Sequence, residues 1–155
     1  MFTARNVMAT AFRTLRSDLT VMDAIKLFQK ASQEEQRRIF GMIVTDEAGR
    51  LIGMLSMYDI LLFVRPKHVH IWGTITDIDV SGLMEVVSER AKAERVGELM
   101  TTHVITVTPD THVMVILDIM IKKHIRRIPV VSGEEVEGMV YLSDLFYFLV
   151  DKLSA

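Results

Sequence analysis

The chain has 155 residues, half of them hydrophobic and a quarter charged, with 18 Lys and Arg against 20 Asp and Glu. That composition excludes a disordered chain and leaves no global charge to attract nucleic acid or anionic lipid. The absence of cysteine excludes disulfides, thiolate catalysis and zinc–thiolate sites, and the length suits one domain or two very small ones.

Residues 1–16 scatter Arg5, Arg13 and Arg16 among polar positions and hold no continuous apolar core, so no secretory signal is expected in them. The longest apolar runs, 60–64 and 145–150, are too short to span a bilayer. A soluble, cytoplasmic protein is expected. Residues 7–22 then align without a gap to 99–114, with Met8 and Met100, and Thr14 and Thr106, each 92 positions apart. A repeated architecture follows from this.

In the first copy, Asp18 or Thr20 caps a helix with Val21, Ala24, Ile25 and Phe28 on its buried stripe. Strands at 41–45 and 51–55 flank a polar turn at 46–49, and a helix starts between Ser56 and Asp59, its carboxylate in the first turn where the helix dipole favours it. About five extra residues near 32–36 lengthen the first helix or the loop after it. The connector, 66–92, holds an extended piece at 70–76 and a helix near 83–93. In the second copy, Asp110 and Thr111 are the cap candidates, followed by Val113, Ile116, Leu117, Met120 and Ile121 at helical spacing. Strands at 128–132 and 136–140 enclose the turn 133–135, and the last helix begins near Ser143 and Asp144. Each copy therefore reads as βαββα, the first covering 1–65 and the second 93–155. The last helix, with Leu142, Leu145, Phe146, Leu149 and Val150 beside Tyr147 and Phe148, is apolar around much of its circumference and needs burial on more than one side.

The two copies resemble paired CBS domains. The marks are Met8 and Met100 at the start of each repeat, Thr106-Val107-Thr108-Pro109-Asp110 before a helix, Arg127-Ile128-Pro129-Val130-Val131 in a strand, and Gly-x-x-Ser-x-x-Asp at Gly53, Ser56 and Asp59. The resemblance implies an α/β (α+β) fold, tandem βαββα repeats packed about a pseudo-twofold axis with two equivalent clefts. It also implies a non-catalytic sensor of AMP, ADP or ATP, with S-adenosylmethionine the lesser alternative, that pairs into a homodimer and acts through an unidentified protein partner.

The glycine of that motif lets a ligand approach the backbone, and its carboxylate accepts hydrogen bonds from vicinal ribose hydroxyls but repels phosphate. Carried over from the family, the first cleft uses Ser56 and Asp59 with His103, Ile105 and Ile125 around the base and Arg127 on a phosphate. The second combines Asp144 with Met8, Arg13, Arg38 and Ile39, with Arg126 reaching the phosphates. Tyr141 stands where Ser56 stands in the first copy; it either blocks that cleft or stacks on a base, which ranks the Asp59 cleft first. The plainer readings are helix caps for the two aspartates, a turn residue for Ser56, solvated charge for Arg126 and Arg127, and core packing for Met8, Ile39, Ile105 and Ile125.

No obligatory cofactor and no metal is expected: His68, His70, Asp77 and Asp79 lack a fixed ligand spacing. No nucleophile elbow, phosphate loop or His-Glu-x-x-His motif is present, so no residue is nominated for catalysis. The basic stretches 37–38 and 122–127 have no interleaved aromatics to stack on bases, which argues against nucleic acid. The competing function is a constitutive dimerisation or protein-interaction module with degenerate clefts.

Overall fold

The computed structural model describes residues 1–36, 38–65 and 80–155. Copy one contains α1 (Ala4–Val7), β1 (Thr14–Arg16), α2 (Val21–Glu34), β2 (Gly41–Thr45), β3 (Leu51–Ser56) and α3 (Met57–Val64). The connector contributes α4 (Val80–Ala93). Copy two contains α5 (Val96–Leu99), α6 (Val113–Lys123), β4 (Arg127–Ser132), β5 (Glu135–Tyr141) and α7 (Leu142–Leu153). The mixed α/β class is as expected, and the extended piece expected at 70–76 lies outside the described residues.

β1, β2 and β3 form a three-stranded sheet in that order, with β1 parallel to β2 and Leu15 opposite Val44. The central strand β2 is buried at all five positions, which its run of apolar residues anticipates. Copy two departs from the expected βαββα pattern. Its first strand is a single parallel bridge, Val107 with Val130, beside the antiparallel pair β4 and β5. Val107 donates to the Pro129 carbonyl at 3.1 Å and accepts from Val131 at 2.9 Å. Pro129 has no amide to carry the ladder further, whereas Ile43, paired with Thr14 in copy one, does.

The chain forms two compact units that do not coincide with the sequence repeats: one is 1–12, 48–51 and 103–155, the other 13–47 and 52–102. Each copy's leading segment folds with the body of the other copy. In the first unit Ala4 N donates to Thr111 O at 2.9 Å and Arg5 N to Pro109 O at 3.2 Å. In the second, Val96 N donates to Leu19 O at 2.8 Å and Gly97 N to Ser17 O at 2.9 Å. These are the same contacts 92 residues apart.

The first unit's core joins Ala4 of α1 to Ile116 and Met120 of α6, Ile128 and Val130 of β4, Val140 of β5 and Leu145 of α7. The second unit's core joins Leu15, Ala24, Ala31, Met42, Val44, Leu55 and Val96. An adjoining cluster of Val21, Phe63, Val87 and Ala91 seats α4 against α2 and α3, and the Arg90 guanidinium lies 4.6 Å from the centre of the Phe63 ring.

Helix starts follow local chemistry. Thr20 caps α2 in a reciprocal capping box with Asp23. The cap of α6 is His112, not Asp110 or Thr111: its Nδ1 accepts from Met114 N at 3.0 Å. The 92-residue offset places His112 where Thr20 stands, and Thr111 Oγ1 instead accepts from Thr108 N at 3.0 Å. Ile121, expected on the buried stripe, is 61% exposed, because the turn it occupies lies past the last buried position, Met120. The extra residues of copy one lengthen α2 to 14 residues against 11 in α6.

Candidate functional site

In the second unit the chain passes from β3 into α3 through Gly53, Ser56 and Asp59. Met54 and Thr101 exchange backbone hydrogen bonds of 2.9 and 2.8 Å, laying the segment after α5 along β3. The approach is so close that a Cβ on Gly53 would lie 2.7 Å from Met100 Sδ and 2.9 Å from Thr101 O. Only glycine fits there. Ser56 ends the strand and caps α3: its Oγ accepts from Asp59 N at 3.2 Å, while Ser56 N and Oγ donate to Asp59 Oδ2 at 2.9 and 3.0 Å. Thr101 Oγ1 donates to Asp59 Oδ1 at 3.3 Å and to Oδ2 at 3.4 Å.

The half-buried Asp59 carboxylate is thus held on both oxygens by neutral donors, and among the described residues it forms no ion pair. A carboxylate has about four lone-pair directions, so acceptor capacity remains toward solvent. Chemically this is a fixed anionic acceptor for hydroxyl donors. The sequence nominates Asp59 and Ser56 but not Thr101; the signal for it was its place directly after Met100, opposite Ala9 in the repeat alignment.

The first unit carries the equivalent turn. Ala9 and Met139 exchange backbone hydrogen bonds of 2.8 and 2.9 Å, and a Cβ on Gly138 would lie 2.8 Å from Ala9 O and 2.9 Å from Met8 Sδ. Met8 also packs on the apolar core. Tyr141 caps α7 without a side-chain hydrogen bond, leaving Asp144 in the first turn. Arg127 lies opposite Tyr141 in the ladder, and Arg126 O accepts from Leu142 N at 2.9 Å, so both arginines sit at the end of the hairpin from which α7 departs. Ile125 packs against the core of this unit; Ile105 is half-buried and His103 exposed.

Ile39, Arg38 and Arg13 belong to the second unit. Ile39 packs on its core and donates its amide to Ser32 Oγ at 3.1 Å; Arg38 is exposed. Arg13 is engaged: its Nη2 donates to Glu34 Oε2 at 2.6 Å, and Nε lies 3.9 Å from Glu35 Oε1. A phosphate on Arg13 would have to displace Glu34. The hydrogen bond from Arg13, with its positive charge, holds the Glu34 carboxyl below the usual glutamate range. A depressed carboxyl contributes stability that is complete above its unfolded pKa and lost as pH falls through the folded value. The pair is open to solvent, so its contribution is small. Arg13→Gln is expected to return Glu34 to the ordinary range, read by an NMR titration of its carboxyl carbon; an unchanged titration would dissolve the pair.

Among the described residues no three His, Asp or Glu side chains converge as a metal site. His68, His70, Asp77 and Asp79 lie outside them, as does Arg37 of the basic pair. No helix in the described residues is long and apolar enough to cross a membrane.

Comparison with known proteins agrees with this architecture. The model of the CBS domain matches residues 4–66 and 96–151. A curated relative, the mitochondrial CBS domain-containing protein CBSX3 of Arabidopsis thaliana, is 34% identical over 88 residues, which are 55% of this chain and 43% of that protein. The chain thus spans less than half the length of this relative. Arabidopsis CBSX2, solved in complex with AMP, superposes with a TM-score of 0.72 at 20% identity, over 99% of both chains. The CBS domain pair of protein MJ0100, solved with 5′-methylthioadenosine and S-adenosyl-L-methionine, superposes with a TM-score of 0.68 at 22% identity, over 98% of both chains.

Proposed function

This chain belongs to the CBS domain family, and from that premise we propose that it is a regulatory, non-catalytic module that binds an adenine nucleotide, AMP, ADP or ATP. The observation that carries the reading is the Asp59 carboxylate, fixed by Ser56 and Thr101 beside a glycine that only close packing requires. The ligands of CBSX2 and of protein MJ0100 share an adenosine moiety, and Asp59 supplies the acceptors that a ribose diol needs. The remaining contacts, His103, Ile105, Ile125 and Arg127 with Asp59, and Met8, Arg13, Arg38, Ile39, Arg126 and Tyr141 with Asp144, stay as the resemblance assigns them. The cytoplasm is the proposed compartment, although the curated relative is mitochondrial by name.

Regulation requires that the ligand bind two conformations with different affinity. We place the readout in a homodimer or a partner protein. In one unit α3 exposes Tyr58 at 67% and Leu61 at 54%; in the other α7 exposes Phe146 at 57% and Tyr147 at 65%. Large apolar side chains open to water, about one turn apart on α3 and adjacent on α7, are the surface an oligomeric contact covers. They also favour a second reading, constitutive dimerisation or protein interaction without a ligand.

The test is a thermal-shift panel of AMP, ADP, ATP, S-adenosylmethionine and GTP, run with a measurement of oligomeric state. An adenine ligand at about 100 times its dissociation constant adds roughly 2.7 kcal/mol, a rise of several degrees for a chain of this size. No shift with any ligand, together with a ligand-independent dimer, would transfer the function to the second reading.

A further inference from the structure

We propose that Thr101 is the positioning residue that makes Asp59 a reader of the ribose cis-diol, an inference that rests on the nucleotide-binding reading above. The terminal torsion of an aspartate is broad and roughly twofold, so one anchored oxygen does not fix the plane of the carboxylate. Ser56 anchors Oδ2 from the strand end, through its amide at 2.9 Å and its hydroxyl at 3.0 Å. Thr101 spans the carboxylate from the other segment, its single hydroxyl proton shared between Oδ1 at 3.3 Å and Oδ2 at 3.4 Å. Thr101 is itself fixed, because Met54 holds its amide and carbonyl at 2.8 and 2.9 Å and Met100 packs over Gly53. The plane of the carboxylate therefore depends on three segments, β3, the first turn of α3 and the residue after Met100. Two adjacent ribose hydroxyls require two oxygens in one fixed plane; a single hydroxyl does not.

The other unit supplies the contrast. Ala9 has no hydroxyl to give, although its backbone makes the same bridge to Met139 that Thr101 makes to Met54. Tyr141 gives the first turn of α7 no side-chain cap. Both hydroxyl restraints on Asp59 are absent at Asp144, so the two aspartates differ in their power to tell a ribonucleotide from a deoxyribonucleotide even though each heads a helix.

The experiment measures dissociation constants of AMP and 2′-deoxy-AMP for the wild-type chain, Asp59→Asn, Thr101→Val and Thr101→Ser, with unfolding midpoints for all four. Thr101→Val keeps the branched shape and removes the donor; Thr101→Ser keeps the donor. The expected result is that the preference of the wild type for AMP falls about tenfold in Thr101→Val, the worth of one hydrogen bond to a charged acceptor, and is restored by Thr101→Ser. A structural role alone would weaken both ligands equally and leave the ratio unmoved. An Asp59-dependent AMP site whose ratio is unchanged in Thr101→Val overturns this inference and leaves the nucleotide reading standing. If the wild-type chain binds ADP or ATP but not AMP, the same ratio is measured with that nucleotide and its 2′-deoxy form; if it binds none of the three, or binds equally well as Asp59→Asn, the reading beneath it falls and takes the inference with it.

Discussion

Asp59→Ala is expected to remove nearly all of the thermal stabilisation that an adenine nucleotide confers, while Asp144→Ala leaves most of it in place. Asp59 offers a charged acceptor to two hydroxyls, and hydrogen bonds to charged groups contribute about 1.5–3 kcal/mol each. Losing both weakens binding by about a hundredfold or more. At a nucleotide concentration of about 100 wild-type dissociation constants, a hundredfold loss leaves about 0.4 kcal/mol of the roughly 2.7 kcal/mol shift. The unliganded protein will also lose the acceptor of its capping box, since Asp59 Oδ2 holds Ser56 N and Oγ; truncating such a pair costs about 1 kcal/mol. The comparison is therefore between the liganded and unliganded midpoints of each variant. Asp144 has neither the Ser56 nor the Thr101 restraint, which is why its loss counts for less. Equal loss of ligand shift in both variants would make the two aspartates equivalent and end the asymmetry argued from Tyr141 and Ala9.

Much of the fold is legible because the repeat states each element twice. β2 spans 41–45 as the apolar run predicts, and β3, β4 and β5 differ from expectation by one or two terminal residues. What sequence reasoning misses is of two physical kinds. One is backbone bookkeeping: Pro129 reads as a strand residue by its neighbours, yet its missing amide reduces the parallel contact of Val107 to one bridge. The other is long-range partnership. Nothing local to residues 1–12 says that they fold with 103–155, because the binding donors are ordinary amides such as Ala4 N and Arg5 N. The same holds at the site. Ser56 and Asp59 stand three apart on one motif and can be read from spacing, whereas Thr101 reaches Asp59 across 42 positions. Arg13 looks like a free cation until Glu34, 21 residues on, is seen to hold it.

Gly53→Ala is expected to destabilise the chain by about 2–4 kcal/mol and to weaken nucleotide binding with it. An added methyl at Gly53 meets a flexible thioether at 2.7 Å and a backbone carbonyl at 2.9 Å. Met100 can swing its side chain away at modest cost, but Thr101 O is one of the acceptors that tie this segment to β3 and cannot move alone. Overpacking of this kind costs about 1–3 kcal/mol, and stretching the reciprocal Met54–Thr101 pair adds about 1 kcal/mol for each hydrogen bond lost. Displacing Thr101 also loosens Asp59, so the ribose preference falls in the same variant. Gly138→Ala meets Ala9 O at 2.8 Å and Met8 Sδ at 2.9 Å, and should cost a similar amount in stability while leaving the Asp59 carboxylate untouched. Urea unfolding of the two variants, with AMP titrations on each, separates the effects. Because Met100 also packs on the core, the double variant is compared with Met100→Ala alone: adding Met100→Ala to Gly53→Ala relieves the thioether but not the carbonyl, so less than half of the Gly53→Ala loss should disappear. Full recovery in that double variant would place the clash in the methionine alone and free Thr101 from any part in it.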